Sequence, residues 1–191
     1  MIHSFYVIEK RNDMSLEFIN IHQQKQYRKL VKQLYESSFP EDEQVPFNIL
    51  SLKSKTNISD IYAVVDNQFV GMLCTVYHQD IVFLWYLAVE EKLRNQGYGS
   101  QILNEVKLQF PNKRLILNIE EVDELVEETS KRKHFYLKNG FIESGFKTEE
   151  YGVVYEMLAY PVAITYPEYE VMMRKYSGDK VFEKIYKLVK E

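Results

Sequence analysis

Most of the chain shows one of two hydrophobic rhythms, a helical stripe or strand-like alternation, and one stretch shows neither. From Ile81 to Val89 every residue is apolar or aromatic. A short run of that kind, rich in β-branched and aromatic side chains, predicts a strand covered on both faces. The charged turn Glu90–Leu93 follows, then Arg94-Asn95-Gln96-Gly97-Tyr98-Gly99. Beyond it Tyr98, Ile102, Leu103, Val106 and Phe110 share one helical stripe that stops at Pro111. A buried strand therefore passes through a glycine-containing turn into the N-terminus of an amphipathic helix.

The flanking pattern is regular. Ser15–Ile21 alternates loosely and predicts a first strand, and Tyr27, Leu30, Val31, Leu34 and Tyr35 predict a helix closed by Pro40. The segment Phe39–Pro46 turns the chain into a short helix beginning near Pro46. Ile58–Val65 and Phe69–Tyr77, joined by Asp66-Asn67-Gln68, predict a hairpin onto which the Ile81 strand adds. Arg114–Ile119 predicts a fifth strand and Ser130–Asn139 a helix, with Thr129 or Ser130 at its start and Gly140 as its left-handed C-terminal cap. Phe141–Lys147 and Val153–Tyr160 predict a second hairpin. The sum is a mixed α+β domain over residues 1–160, with residues 1–13 carrying no functional pattern.

Residues 161–191 form a C-terminal addition. Pro161 and Pro167 bracket an extended piece, and Glu168–Tyr176 and Asp179–Glu191 read as helices parted by Ser177-Gly178. In the last of these Val181, Phe182, Ile185, Tyr186 and Val189 make an apolar stripe opposite Lys180, Lys184 and Lys187. Packing on its own domain, a homodimer contact or a lid over an acceptor site would each bury that stripe.

The turn after Val89 has the makings of an anion site. The first turn of a helix leaves backbone N–H groups unpaired, and the helix dipole adds positive charge there. Gly97 and Gly99 would let an anion approach those amides closely, and Arg94 adds a fixed charge. A P-loop would need Gly-Lys-Ser/Thr where Gly99-Ser100-Gln101 stands, and a dinucleotide fingerprint would need glycine in place of Ile102.

Arg94-Asn95-Gln96-Gly97-Tyr98-Gly99 instead resembles the acetyl-CoA signature Arg/Gln-x-x-Gly-x-Gly/Ala of the GNAT superfamily of N-acetyltransferases. Phe135-Tyr136-x-x-x-Gly140-Phe141 is similar to a second element of that family, downstream of its fifth strand. The resemblance implies a central, mostly antiparallel mixed sheet flanked by helices, its fourth and fifth strands splayed to take the pantetheine arm like an extra strand. It implies that Leu87, Ala88 and Val89 offer backbone groups to that arm. The pyrophosphate would lie on the turn formed by Arg94, Asn95, Gln96, Gly97, Tyr98, Gly99 and Ser100, and Tyr136 would approach the CoA sulfur. The implied activity is acetyl-CoA-dependent acetyl transfer to a primary amine by direct attack; a non-catalytic CoA-binding sensor of the same fold is the alternative.

Chemistry narrows the remaining roles. A phenol can protonate a leaving thiolate, because its pKa of about 10 lies near that of a thiol. Arg132, one turn before Tyr136, shares its helix face and could reach cofactor phosphate or simply face solvent. Glu120 falls on one strand face with Ile116 and Asn118 and is the first candidate for general base; Glu41 and Glu43 are rivals, because the resemblance implies that the first two helices border the acceptor pocket. Glu120, Glu121, Asp123, Glu124, Glu127 and Glu128 form an acidic run that would favour a cationic small-molecule or peptide amine as acceptor.

Composition sets the outer bounds. The 191 residues are 46% hydrophobic with 15 Tyr and 11 Phe, enough for a substantial core. A net charge of -4 argues against a nucleic-acid partner, and no apolar run has the length of a membrane span or a signal-peptide core. Cys74 stands alone, which excludes an internal disulfide and suits the cytoplasm. His3, His22, His78 and His134 show no metal-ligand spacing, so no metal is expected.

Overall fold

The computed structural model describes residues 16–123 and 125–189. Among them the strands β1 (Glu17–Asn20), β2 (Ser59–Asp66), β3 (Gln68–His78), β4 (Ile81–Val89), β5 (Arg114–Glu120), β6 (Ile142–Glu150), β7 (Val153–Tyr160) and β8 (Tyr186–Leu188) form one sheet. Their order is β1-β2-β3-β4-β5-β7-β6-β8, parallel only between β4 and β5. The helices are α1 (Tyr27–Ser38), α2 (Phe47–Lys53), α3 (Tyr98–Gln109), α4 (Glu127–Lys138), α5 (Tyr166–Ser177) and α6 (Asp179–Ile185). This is the expected α+β architecture, with an added strand at one edge. Among the described residues no helix is long and apolar enough to cross a membrane.

Both faces of the sheet are covered, which is why β4 is apolar throughout. On one face Val82 and Leu84 join Leu115, Leu117 and Leu158 under Ile102, Leu103 and Val106 of α3. On the other, Ile81 and Phe83 lie under Tyr169, Met172 and Met173 of α5, while Tyr86 and Ala88 lie under Val31, Leu34 and Tyr35 of α1. The in–out alternation thus changes phase within the strand. Cys74 pairs with Tyr86 and Thr75 with Leu84, so Trp85 is an extra residue in β4, a bulge. Bulges bend the strand that carries them, and this one lies one residue beyond Leu84, just past the last residue paired with β5, Phe83.

Several boundaries differ from the sequence expectation for physical reasons. The first strand spans Glu17–Asn20, and Ser15, like residues 1–13, lies outside the described residues. The first hairpin turns more tightly than Asp66-Asn67-Gln68 suggested, since Asp66 pairs with Gln68 and Asn67 takes a φ of 51°. Helix α4 begins at Glu127, not Ser130. Thr129 does not cap it from outside; its hydroxyl donates to the Val126 carbonyl at 2.8 Å within the first turn and accepts from the Asp123 N–H at 3.0 Å. At the other end the expected cap forms. Gly140 has φ 82°, its N–H reaches the Leu137 carbonyl, and the Phe141 N–H reaches that of Tyr136.

The largest correction is at the C-terminus. Helix α5 starts at Tyr166, earlier than Glu168, because Thr165 and Glu168 form a capping box and Pro167 falls in the first turn, where its missing N–H is no loss. The helix expected over Asp179–Glu191 stops at Ile185; the chain then extends as β8, pairing Tyr186 with Glu150 and Leu188 with Thr148. That partnership also lengthens β6 past Lys147 to Glu150. The expected stripe divides accordingly: Phe182 and Tyr186 are buried and stack at 5.2 Å, while Val181 is exposed. Glu191 lies outside the described residues.

Candidate active site

Strands β4 and β5 pair only at Ile81–Arg114, Val82–Leu115 and Phe83–Ile116. Past the bulge, β4 is held from the β3 side, through Leu73–Leu87, Met72–Ala88 and Gly71–Val89, and β5 from the β7 side, through Asn118–Met157 and Glu120–Tyr155. The two strands diverge into a wedge whose inner edges need hydrogen-bond partners from elsewhere. Leu87, Ala88 and Val89 lie on one of those edges. Gly71 keeps it in place: a Cβ there would sit 2.3 Å from the Ala88 carbonyl oxygen.

Helix α3 opens at this end of the wedge. Its N-cap is Gly97 with φ 88°, a conformation that strains any residue bearing a Cβ, and no side chain caps the first amides. The space beside Gly97 is open, with only the Gln101 amide at 3.9 Å from where a Cβ would be. Arg94 donates from Nε to the Val89 carbonyl at 3.1 Å, fastening the turn to the end of β4, and Gln96 donates to the Lys92 carbonyl at 2.8 Å. Asn95 adopts φ 60°. Tyr98 sends its hydroxyl to Asp66 at 3.1 Å, on the β2–β3 hairpin, and Ser100 is half-buried in the first turn. Gly99 has a job that spacing did not reveal. A Cβ there would stand 3.0 Å from the Phe135 ring, so Gly99 lets α4 pack against the start of α3. Beside that contact Ser130, Lys131, His134 and Lys138 line an open crevice.

Tyr136 and Arg132 project from the same side of α4, as their spacing predicts. The Tyr136 ring packs edge-on to Phe135 at 5.1 Å and Phe141 at 5.9 Å. Burial pushes its phenol up to about 12, against a smaller opposite pull from the Arg132 guanidinium, so it remains a proton donor through the neutral range. Arg132 is already engaged, its Nη1 lying 3.2 Å from Glu120 Oε2. The first candidate for general base and the candidate phosphate ligand thus neutralise one another. The rest of the acidic run is partly tied down: Glu121 meets Lys147 at 2.6 Å, Glu127 meets Lys131 at 3.0 Å, and Asp123 accepts from the Leu125 N–H at 2.8 Å. Glu124 lies outside the described residues.

Across the sheet, on the face of α1 and α5, a second polar group borders the wedge. The 3₁₀ turn Glu41–Glu43 reaches over it: Tyr86 of β4 donates to the Glu43 carbonyl at 3.1 Å, and Tyr155 of β7 donates to the Glu43 carboxylate. Of the two rivals to Glu120, Glu43 therefore stands at the mouth. Beneath it lies Glu150, a buried carboxylate hydrogen-bonded by Tyr169, Thr148 and Asn118 and pushed up to about 7, chiefly by burial. Tyr86, Tyr155 and Glu150 were not singled out from the sequence. The available signal was a polar pair, Thr148 and Glu150, at the inward positions of a strand that reads as an edge.

Residues 57–143, from the end of the first helical layer through α4 and its cap, match the model of the acetyltransferase (GNAT) domain. Over that stretch, a little under half of the chain, the sequence is that of a GNAT-type domain. The Bacillus subtilis (strain 168) protein YjbC, which bears the name of an acetyltransferase, is 32% identical to this chain over 102 residues. That match covers 50% of this chain and 52% of YjbC, so it spans about half the length of the curated relative. Among solved structures, a Bacteroides thetaiotaomicron protein assigned to the GNAT acetyltransferases superposes with a TM-score of 0.67 at 18% identity, over 84% of this chain and 94% of its own. An aminoglycoside 6'-N-acetyltransferase complexed with coenzyme A gives 0.61 at 17% identity, over 76% and 96%. At these identities the likeness speaks for the GNAT fold.

Proposed function

We propose that this chain is an acetyl-CoA-dependent N-acetyltransferase that passes the acetyl group to a primary amine by direct attack, the acceptor being a cationic small molecule or peptide. The observation that carries the reading is the wedge between β4 and β5, which opens beside the uncapped N-terminus of α3. An extended pantetheine amide fits the unpaired edges at Leu87–Val89, and a pyrophosphate fits the open amides beyond Gly97. The relative complexed with coenzyme A and named for an amine acceptor supports the same reading. In the reaction the amine lone pair attacks the thioester carbonyl carbon, the C–N bond forms, the C–S bond breaks, Tyr136 gives the departing thiolate a proton, and the proton lost by the amine nitrogen restores Tyr136 by way of solvent. Donors at the Leu87 end of β4 would hold the oxyanion. The buried, free Cys74, with its thiol pushed up to about 12 by desolvation, fits a reducing compartment such as the cytoplasm and takes no part in the chemistry.

The deciding experiment mixes the protein with acetyl-CoA and a panel of amines, polyamines, aminoglycosides and peptides while free thiol is followed. Amine-dependent thiol release is expected, with kcat/KM for cationic acceptors falling as salt is added, since Glu43 and the net charge of -4 favour them electrostatically. No heat on titration with acetyl-CoA would end the proposal. Binding without amine-dependent release would make the protein a CoA-binding module instead. Within the same titration Gly97→Val should raise the acetyl-CoA Kd at least about tenfold, ~1.4 kcal/mol, by straining the turn and filling the open space beside it. An unchanged Kd in a folded variant would mean that the pyrophosphate binds elsewhere.

A further inference from the structure

The C-terminal addition does more than cover the sheet. Tyr169 of α5 donates to Glu150 Oε1 at 2.7 Å, Thr148 to the same oxygen at 3.2 Å, and Asn118 of β5 at 3.4 Å. None of the side-chain hydrogen bonds among the described residues goes to Oε2. Three donors on one oxygen fix the carboxyl group in a single orientation and leave the other oxygen for an external partner. The contact with Asn118 shows how far the side chain reaches. Glu150 is on β6, and β7 lies between β6 and β5, so its carboxyl group spans β7 to meet the strand that forms one wall of the wedge. It lies on the sheet face opposite Tyr136, the face that also carries Glu43 and Tyr155.

We propose that Glu150 accepts the proton of the attacking amine, and that Tyr169 is the residue that positions it for this. The inference rests on the acetyl-transfer reading of the same site. An ammonium entering beneath Glu43 gives one proton to Glu150 Oε2 and becomes nucleophilic. Its nitrogen then forms the C–N bond as the C–S bond breaks. The second N–H proton replaces the one that Tyr136 delivers to the thiolate, and Glu150 returns its proton to solvent. Net, ammonium and thioester give amide, thiol and one proton.

The surroundings suit this task. Glu150 is 6% exposed, and the groups facing it are Tyr169 from α5, Tyr186 from β8, Tyr155 from β7, Asn118 from β5, Thr148 and Tyr151 from its own hairpin, and Glu43 from the 3₁₀ turn. Burial and the nearby Glu43 raise the carboxyl into the neutral range, whereas the bonds from Tyr169, Thr148 and Asn118 pull it down. A base is most effective when its pKa lies near the working pH.

The test compares Glu150→Gln and Tyr169→Phe with the unaltered protein, using an amine that supports thiol release, across a pH series. Acetyl-CoA affinity and a thermal melt serve as controls. For the unaltered protein kcat/KM should rise with an inflection near pH 7. Glu150→Gln should lower kcat about 10²-fold, remove that inflection and leave the acetyl-CoA Kd unchanged. Tyr169→Phe should keep much of the activity at high pH but move the inflection upward, because it removes a bond to the ionised carboxylate. A purely structural role for Tyr169 would change the melt and not the inflection. Unaltered rate and pH profile in Glu150→Gln, or an unmoved inflection in Tyr169→Phe should the first variant fail to fold, would overturn the proposal while leaving acetyl transfer intact. Absence of transfer by the unaltered protein would overturn both.

Discussion

Gly71→Ala is expected to lower the melting temperature by about 10 °C and to abolish measurable acetyl-CoA binding, although residue 71 belongs to no recognised motif. The added Cβ would lie 2.3 Å from the Ala88 oxygen and 3.3 Å from the Ala88 carbon and the Val89 Cα. All three are backbone atoms of the neighbouring strand, and no side-chain rotation relieves the contact. β4 must therefore move where it pairs through Gly71–Val89 and Met72–Ala88. Overpacking a well-filled interior costs about 1–3 kcal/mol, and a forced strand displacement adds broken ladder bonds. For a chain of this size each kcal/mol shifts the midpoint by about 2–4 °C. The displaced segment is also the wall of the wedge, so ligand binding should fail with it. A melt within a degree or two of the unaltered protein, with acetyl-CoA bound as before, would show that β4 has slack at Ala88 and that the edge there is not a rigid template.

Tyr136→Phe should separate chemistry from binding. Among the described residues the Tyr136 phenol has no hydrogen-bond partner, and its ring is held by Phe135 and Phe141, contacts that phenylalanine preserves. The fold and the acetyl-CoA Kd should stay within about twofold, while kcat falls about 10²-fold, ~3 kcal/mol of transition-state stabilisation. Because burial holds the phenol well above its ordinary value, at about 12, it stays protonated through the neutral range. The unaltered protein should accordingly show no alkaline loss from this group below about pH 10. Equal losses in kcat and in affinity would reassign Tyr136 to packing, and unchanged kcat would give the thiolate its proton from water.

The proposed cofactor half of the site can be read in the sequence because its elements are local. The apolar run Ile81–Val89, the turn through Gly97 and the stripe on α3 follow each other along the chain, and each imposes its own residue pattern. Even so, a wholly apolar strand cannot display a phase change, so the bulge at Trp85 left no trace. Gly99 reads as an approach for phosphate, and its contact with Phe135, on a helix far along the chain, leaves no sign in the sequence. The acceptor half is different in kind. Glu150 reads as one more carboxylate in Thr148-Glu149-Glu150, and only the return of α5 and β8 over the sheet makes it a buried acid. Glu120 read well as a base by strand alternation; its partner Arg132 could be found only in three dimensions. The apolar spacing of the final segment fits a helix, but the unpaired edge of β6 draws Tyr186–Leu188 into a strand.

The position of α5 in the chain also governs how the molecule is made. Chains fold as they are synthesised, N-terminal parts first, and β1–β4 with α1 and α2 can close on largely local contacts. The sheet face formed by Val76, Ile81, Phe83, Ile116, Met157 and Ala159 has no cover until Tyr169, Met172, Met173 and Phe182 have been added. Until they are made the nascent protein therefore exposes a broad apolar face, a hazard for sticking to other chains. The carboxylate of Glu150 meanwhile stays in water, as an ordinary acid. The arrival of α5 and β8 closes this part of the core and gives that acid its altered character in one event, so a chain lacking them would be adhesive and would lack the proposed base.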